Sequence, residues 1–170
     1  QAQTISGLSD TSVSADISGL SEGKVYYYRM AAKNSSGTVY GSKMSFATLD
    51  ASIPSGSISI SNALSAVNAP EVTLKLVAQD NIGVVGYYLS TSDVTPKASD
   101  SSWVSLTPVL AYSADIDYAL SNVDGTKTLY CWYKDAAGNI SKVSSYSIIL
   151  DAVSPSLSIT SPAIELGTAY

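Results

Sequence analysis

Short runs of alternating apolar and polar residues fill the stretch between residues 57 and 150, and Gly, Asn, Asp and Pro separate them. A period of two interrupted by turn-forming residues is typical of β-strands joined by tight connections. The run YSADIDYAL shows it best, because Tyr112, Ile116 and Tyr118 share one face while Asp115 and Asp117 share the other. The pattern predicts seven strands, at 57–61, 72–78, 84–90, 103–106, 112–120, 126–134 and 143–150.

An internal repeat divides the chain. Leu-Asp-Ala, a proline four residues after the aspartate and an alternating Ser/Ile run occur at Asp50 and again at Asp151, 101 residues later. The pentapeptides KNSSG, from Lys33, and KDAAG, from Lys134, are separated by the same interval. A period of this length fits one β-sandwich module of roughly 100 residues. Since the proline of each copy has no N–H for a strand ladder, we predict module boundaries near residues 50 and 151.

Composition narrows the class of protein. Hydrophobic residues make up 45% of the chain and charged residues 14%, a balance that can form β cores and argues against disorder. The net charge of −5 would repel a phosphate backbone, so we exclude nucleic acid as a partner. No window has the roughly 18 consecutive apolar residues of a membrane helix, and the N-terminus shows no signal peptide, although one could lie upstream.

Catalytic groups are scarce. The chain has no histidine, so no Ser or Cys nucleophile can be paired with an imidazole base. Two carboxylates can carry out glycosidase chemistry, and Asp115 and Asp117 lie on one face of a predicted strand. That face is predicted to be the solvent side, and the sequence gives no sign of a pocket there. Cys131 could be a metal ligand or a redox thiol; with no second cysteine, a buried small apolar residue is the favoured interpretation. We expect no enzyme.

Aromatic residues raise the question of a glycan-binding surface, since the chain has 12 tyrosines and 2 tryptophans. Tyr130 and Trp132 are predicted to lie on the face of their strand opposite Cys131, outside the core. Cross-strand aromatic pairs stabilise sheets by roughly 0.2–1 kcal/mol each, which explains them without a ligand. We therefore favour packing over glycan binding.

Four aspartates are candidate calcium ligands: Asp50, Asp80, Asp135 and Asp151. Oxygen ligands clustered at a module junction would suit Ca²⁺ and would stiffen a string of modules. The chain lacks an EF-hand loop, and a lone aspartate before Ala or Asn is more often a turn cap. Calcium is therefore a structural candidate, and no other cofactor is expected.

Residues 1–49 resemble the C-terminal part of a fibronectin type III domain, through ADISGLSEGKVYYYRMAAKNSSGTVYGSKMSFATLD. The resemblance implies that Tyr26 is the tyrosine-corner residue. It also implies an inward-facing apolar set: Leu20, Tyr28, Met30, Ala32 and Phe46. Three further strands would be needed to complete such a domain, supplied by upstream residues or by another chain.

Residues 51 to about 150 resemble bacterial immunoglobulin-like surface repeats, through AQDNIGVVGYYLS and LYCWYKDAAGNISKVSSYSIILD. The fold class implied is all-β, with tandem immunoglobulin-like and fibronectin type III β-sandwiches. We accordingly expect a fibronectin-like part at 1–49, an immunoglobulin-like sandwich at 50–151 and the first strand of a further module at 152–170.

Three functions remain open at this stage. The first is a non-enzymatic structural or adhesive array of modules in a larger extracellular or cell-surface protein. The second is a subunit of an extracellular filament completed by strand exchange between identical chains. The third is a spacer module of a secreted glycan-degrading enzyme. The expected partners are neighbouring modules, identical subunits, or a surface glycan or protein.

Overall fold

The computed structural model describes residues 5, 10–61 and 65–158, and within them the chain is all-β, with ten strands and no helix. No described segment could therefore cross a membrane as a long apolar helix. In chain order the strands are β1 Val25–Tyr28, β2 Ala31–Asn34, β3 Gly37–Tyr40, β4 Met44–Ala47, β5 Ser55–Ile60, β6 Ala66–Val67, β7 Glu71–Ser90, β8 Val104–Ala119, β9 Gly125–Asp135 and β10 Ser144–Leu150.

The first four strands form one long hairpin, in which β1 pairs with β4 and β2 pairs with β3, both antiparallel. Its tip is a turn in which Asn34 Oδ1 accepts the N–H groups of Ser36 and Gly37. At its base the hydroxyl of Tyr26 accepts a hydrogen bond of 2.8 Å from the N–H of Ser21, five residues upstream. The tip and the base are thus both fixed by local side-chain hydrogen bonds.

The apolar face of this hairpin corrects one expectation. Tyr28, Met30 and Phe46 are 42%, 57% and 37% exposed, and Ala32 is exposed as well, whereas an inward-facing set was predicted. Leu20 is half-buried. The physical reason is that none of the described strands lies over this face. The aromatic rings pack on one another, with the ring centroids of Tyr26 and Phe46 5.9 Å apart.

The remaining strands form a single curled sheet in the order β5-β7-β9-β10-β6, with β8 also paired to β7. The early part of β7 pairs with both β5 and β8, and its later part pairs with β8 and β9. The register shifts between Gln79 and Val84, where the long strand changes direction. The curl brings β5 close to β10, and the N–H of Ile58 in β5 donates to Ser144 Oγ in β10.

One hydrophobic core fills the inside of the curled sheet. It combines residues of β5 and early β7 with residues of β9 and β10, including Ile58, Leu74, Leu76, Leu129, Cys131 and Ile148. Gly56 permits close packing here, because a Cβ at this position would overlap the ring of Tyr133. The predicted alternation at 112–120 is confirmed, since Tyr112, Ile116 and Tyr118 pack against the core and Asp115 and Asp117 are exposed.

The predicted strands differ from the observed ones at three places. The strands predicted at 72–78 and 84–90 are parts of one continuous strand, β7. Those predicted at 103–106 and 112–120 likewise belong to one continuous strand, β8. The short β6, which pairs in parallel with β10, was not predicted. Pro54, expected to precede a new ladder, is followed directly by β5.

Candidate metal centre

Three carboxylates from distant parts of the sequence converge at the end of the curled sheet nearest the hairpin. Asp50 lies in the segment that joins β4 to β5, Asp80 lies at the register shift in β7, and Asp135 is the last residue of β9. One oxygen from each lies within 4.8 Å of the others. Asp135 is 2% exposed, and the other two are partly buried.

The turn after β9 holds Asp135 in place. Asp135 Oδ1 accepts the N–H of Asn139 at 2.8 Å, and its Oδ2 accepts the side-chain amide of the same residue at 2.7 Å. Gly138 makes this turn possible with a φ of 89°, a left-handed conformation. The Asn139 amide also donates to the carbonyl oxygens of Asp50 and Ser52, at 3.1 and 3.2 Å. Asn139 therefore ties the segment before β5 to the end of β9.

Asp80 has one satisfied oxygen and one without a partner. Its Oδ2 accepts the N–H groups of Ile82 and Gly83 at 2.9 and 2.8 Å, which closes the tight bend in β7. Its Oδ1 is buried and has no hydrogen-bond partner among the described residues. A buried carboxylate oxygen left without a partner costs about 1–3 kcal/mol or more, and such an atom in a native site calls for a ligand, an ion or water.

The cluster brings three acidic side chains together without a paired cation. Within the described residues the sole ion pair joins Lys75 to Asp115, so none of the three aspartates forms an ion pair with a lysine or an arginine. Partial burial, together with repulsion from Asp135, Asp80 and Glu22, raises the pKa of the Asp50 carboxyl, although the N–H of Ser52 opposes the shift. A cation at this point would remove the repulsion.

The donor set fits a hard divalent cation. All three ligand atoms are carboxylate oxygens, which Ca²⁺ binds at about 2.3–2.6 Å, so two oxygens on one ion can be up to about 5 Å apart. The spacing of at most 4.8 Å meets this limit. The cluster has neither histidine nor cysteine, the ligands that favour zinc. Asp50, Asp80 and Asp135 could therefore hold calcium, with further oxygens from backbone or water.

The sequence-predicted ligands divide into two groups. The structure brings together Asp50, Asp80 and Asp135, as a shared site requires. Asp151 is exposed and lies outside the cluster, with its N–H bonded to the carbonyl of Val67. Asp151 is the counterpart of Asp50 in the repeat, and its role as a calcium ligand stays a prediction. Sequence reasoning missed Asn139, whose signal was its place in the DAAGN turn beside Asp135.

The other candidate groups occupy settings that suit packing. Asp115 pairs with Lys75 at 3.5 Å, and Asp117 accepts a hydrogen bond from Thr73 at 3.3 Å, both on the exposed face of β8. Cys131 is fully buried, and this burial raises the pKa of its thiol to about 12. A thiol protonated to that extent is a poor nucleophile and a poor metal ligand.

No protein-family model matches the chain, and a search of curated proteins finds no match.

Proposed function

We propose that this chain is a non-enzymatic structural or adhesive part of a larger extracellular or cell-surface protein, built from immunoglobulin-like and fibronectin-like β-sandwich modules joined end to end. In this proposal the curled sheet of β5 to β10 is one such module, and the hairpin of β1 to β4 belongs to the module before it. A calcium ion bound by Asp50, Asp80 and Asp135 stiffens the junction between them.

The convergence of the three aspartates beside the module boundary carries this proposal. Asp50 belongs to the Leu-Asp-Ala segment that recurs 101 residues later, so the cluster lies where one repeat gives way to the next. The unpartnered Oδ1 of Asp80 supplies a free ligand atom, and the surplus negative charge supplies the driving force. An ion that links the joining segment, β7 and β9 would restrict bending of the boundary.

The scarcity of catalytic side chains in the sequence also supports a structural role. Catalysis by general bases most often uses histidine, and the chain has none. The one cysteine is buried and held protonated. The hydroxyl of Tyr26 accepts a hydrogen bond of 2.8 Å from the N–H of Ser21, a contact that is compatible with the tyrosine corner implied by the fibronectin resemblance.

Calcium titration tests the proposal. Saturating Ca²⁺ should raise the melting temperature by about 5–10 °C, because a ligand at 100 times its Kd stabilises the folded state by about 2.7 kcal/mol. A chelator should reverse the shift. The variant Asp80→Asn should abolish it, whereas Asp93→Asn, at an exposed position outside the cluster, should retain it. A melting curve of the unaltered chain that does not respond to Ca²⁺ would contradict the proposed site.

A second candidate function, a self-assembling filament, is favoured by the exposed face of the first hairpin. Tyr28, Met30 and Phe46 form an apolar surface that nothing described covers, beside strand edges that are free to pair. In a filament, a neighbouring chain would cover this surface. The two candidates differ in one measurable respect, since only the filament makes the protection of the hairpin depend on protein concentration.

A further inference from the structure

The turn before β1 contacts the curled sheet directly beside the aspartates. Glu22 Oε2 accepts hydrogen bonds from Ser52 Oγ at 2.7 Å and from the Asn81 amide at 3.3 Å. These bonds, led by the one from Ser52, hold the pKa of the Glu22 carboxyl below its usual value. The next residue, Gly23, lies so close to Ile82 that a Cβ there would approach its Cδ1 to 2.7 Å. Glu22 and Gly23 thus anchor residues 10–49 on the sheet.

The residues that receive this anchor are themselves held by the candidate metal ligands. Asp50 Oδ1 accepts the N–H of Ser52 at 3.2 Å. Asp80 Oδ2 accepts the N–H of Ile82 at 2.9 Å, which fixes the bend that also carries Asn81. Ser52 and Ile82 are therefore each one hydrogen bond away from a carboxylate of the cluster, and Asn81 directly follows Asp80 in the chain.

We infer that binding of a divalent cation by the aspartate cluster fixes the orientation of residues 10–49 against the curled sheet, with Glu22 as the positioning residue that couples the two. This inference rests on the proposed calcium site. Without the ion, repulsion among the carboxylates favours conformations in which Asp50 and Asp80 separate, and Ser52 and Asn81 move with them. With the ion, both acceptor segments are held at one spacing, so Glu22 can bond to both.

The inference assigns Glu22 a role distinct from that of a ligand. Its Oε2 is already engaged by Ser52 and Asn81, and it lies outside the group of three oxygens that share the 4.8 Å spacing. Removing its acceptor atoms should therefore uncouple orientation from binding. Removing its charge alone should leave the coupling in place, because a neutral amide oxygen still accepts from Ser52 Oγ.

Distances between two spin labels test the coupling in the full chain. Labels on Thr38→Cys and Val94→Cys, both exposed, report on the hairpin and on the curled sheet, while buried Cys131 should remain unlabelled. We expect Ca²⁺ to narrow the distance distribution by about twofold, as a shift from several orientations to one requires. The same narrowing is expected in Glu22→Gln and none in Glu22→Ala. Calorimetry should show that both variants still bind Ca²⁺, because neither substitution removes an oxygen of the aspartate cluster.

Each outcome bears on a different claim. Narrowing in Glu22→Ala equal to that of the unaltered chain would overturn the role of Glu22. Calcium binding by calorimetry without any narrowing would overturn the coupling while leaving the proposed site intact. No calcium binding at all would overturn the proposed site and the coupling together. The variant Asp80→Asn, which should lose both binding and narrowing, shows that any narrowing depends on the cluster.

Discussion

Single residues are most informative where burial opposes ionisation, and Cys131 is the clearest case. It lies in the core between Leu129 and Tyr133 on the inner face of β9, with no exposed surface. Burial raises the pKa of the thiol from 9.0 to about 12. In the unfolded chain the thiol ionises near its ordinary value, so the folded and unfolded states bind different numbers of protons between these two pH values.

The sign of the resulting pH dependence follows from proton linkage. Below pH 9 both states keep the proton and the stabilisation is complete; between pH 9 and 12 the unfolded state loses the proton first, and the free energy of unfolding falls. We expect a loss of about 1 kcal/mol between pH 9 and 10, measured by urea denaturation. The variant Cys131→Ala should be less stable throughout but should show a flatter slope. Equal slopes in both proteins would contradict the assignment.

The sequence was sufficient to propose Asp50, Asp80 and Asp135 as calcium ligands but not to predict that they lie close together. Each aspartate is flanked by turn-forming residues, which can be recognised from the neighbouring sequence alone. Their convergence depends on the register of β7 against β9, which is set by packing across the core and is invisible in local patterns. The same holds for Glu22 and Asn139, whose partners are 30 and 89 residues away in the chain.

At the scale of elements, the connection between β7 and β8 covers the outer face of the curled sheet. Trp103 at its end is 8% exposed and lies 5.5 Å from the ring of Tyr88, and its indole N–H donates to the carbonyl of Lys97. The ammonium of Lys134 lies 4.7 Å from the centroid of the Trp103 ring. Trp132 is completely buried, so the prediction that it lies outside the core is wrong. The physical reason is that aromatic side chains also pack on the outer face of β9, where the ring of Tyr88 lies 6.1 Å from that of Trp132.

Removing Trp103 should detach this connection. We expect Trp103→Ala to lower the free energy of unfolding by about 3–5 kcal/mol, because it deletes a large buried ring and a hydrogen bond. The substitution Val94→Ala, in the same connection but 72% exposed, should change it by less than about 0.5 kcal/mol. Chemical denaturation of both variants measures the difference. A small effect of Trp103→Ala would mean that the connection is not held by its aromatic contacts.

The strands β7 and β8 are continuous at the two places where the sequence pattern predicts that a strand ends. Residues 80–83 contain Asp, Asn and Gly, and β8 contains Pro108, so the sequence predicts a break between strands in both stretches. In the structure β7 bends at Asp80 and Gly83 without ending, and the pairing of β8 with β7 is irregular near Pro108. Turn-forming residues can bend a long strand as readily as they can end one, and pairing to neighbours decides between the two.

At the scale of the whole molecule, the two hairpins that precede the Leu-Asp-Ala segments occupy equivalent places in the repeat and have opposite environments. Leu129 and Cys131 in β9 are buried by β5 and β7, while Tyr28 and Met30, 101 residues earlier, are exposed. The equivalent residues therefore contribute stability in one hairpin and little in the other. A two-stranded ribbon without a covered face is only marginally stable.

Amide hydrogen exchange should display this difference. At low protein concentration the amides of β1 to β4 are expected to exchange orders of magnitude faster than those of β7 and β9, because opening the hairpin exposes little additional apolar surface. Mass spectrometry of peptides from both regions measures it, and the core peptides provide the internal reference. Protection of the hairpin that rises with protein concentration would favour the filament, since only association could cover Tyr28 and Met30. If the amides of β1 to β4 were as protected as those of the core in dilute solution, the conclusion that the apolar face of this hairpin is exposed would be wrong.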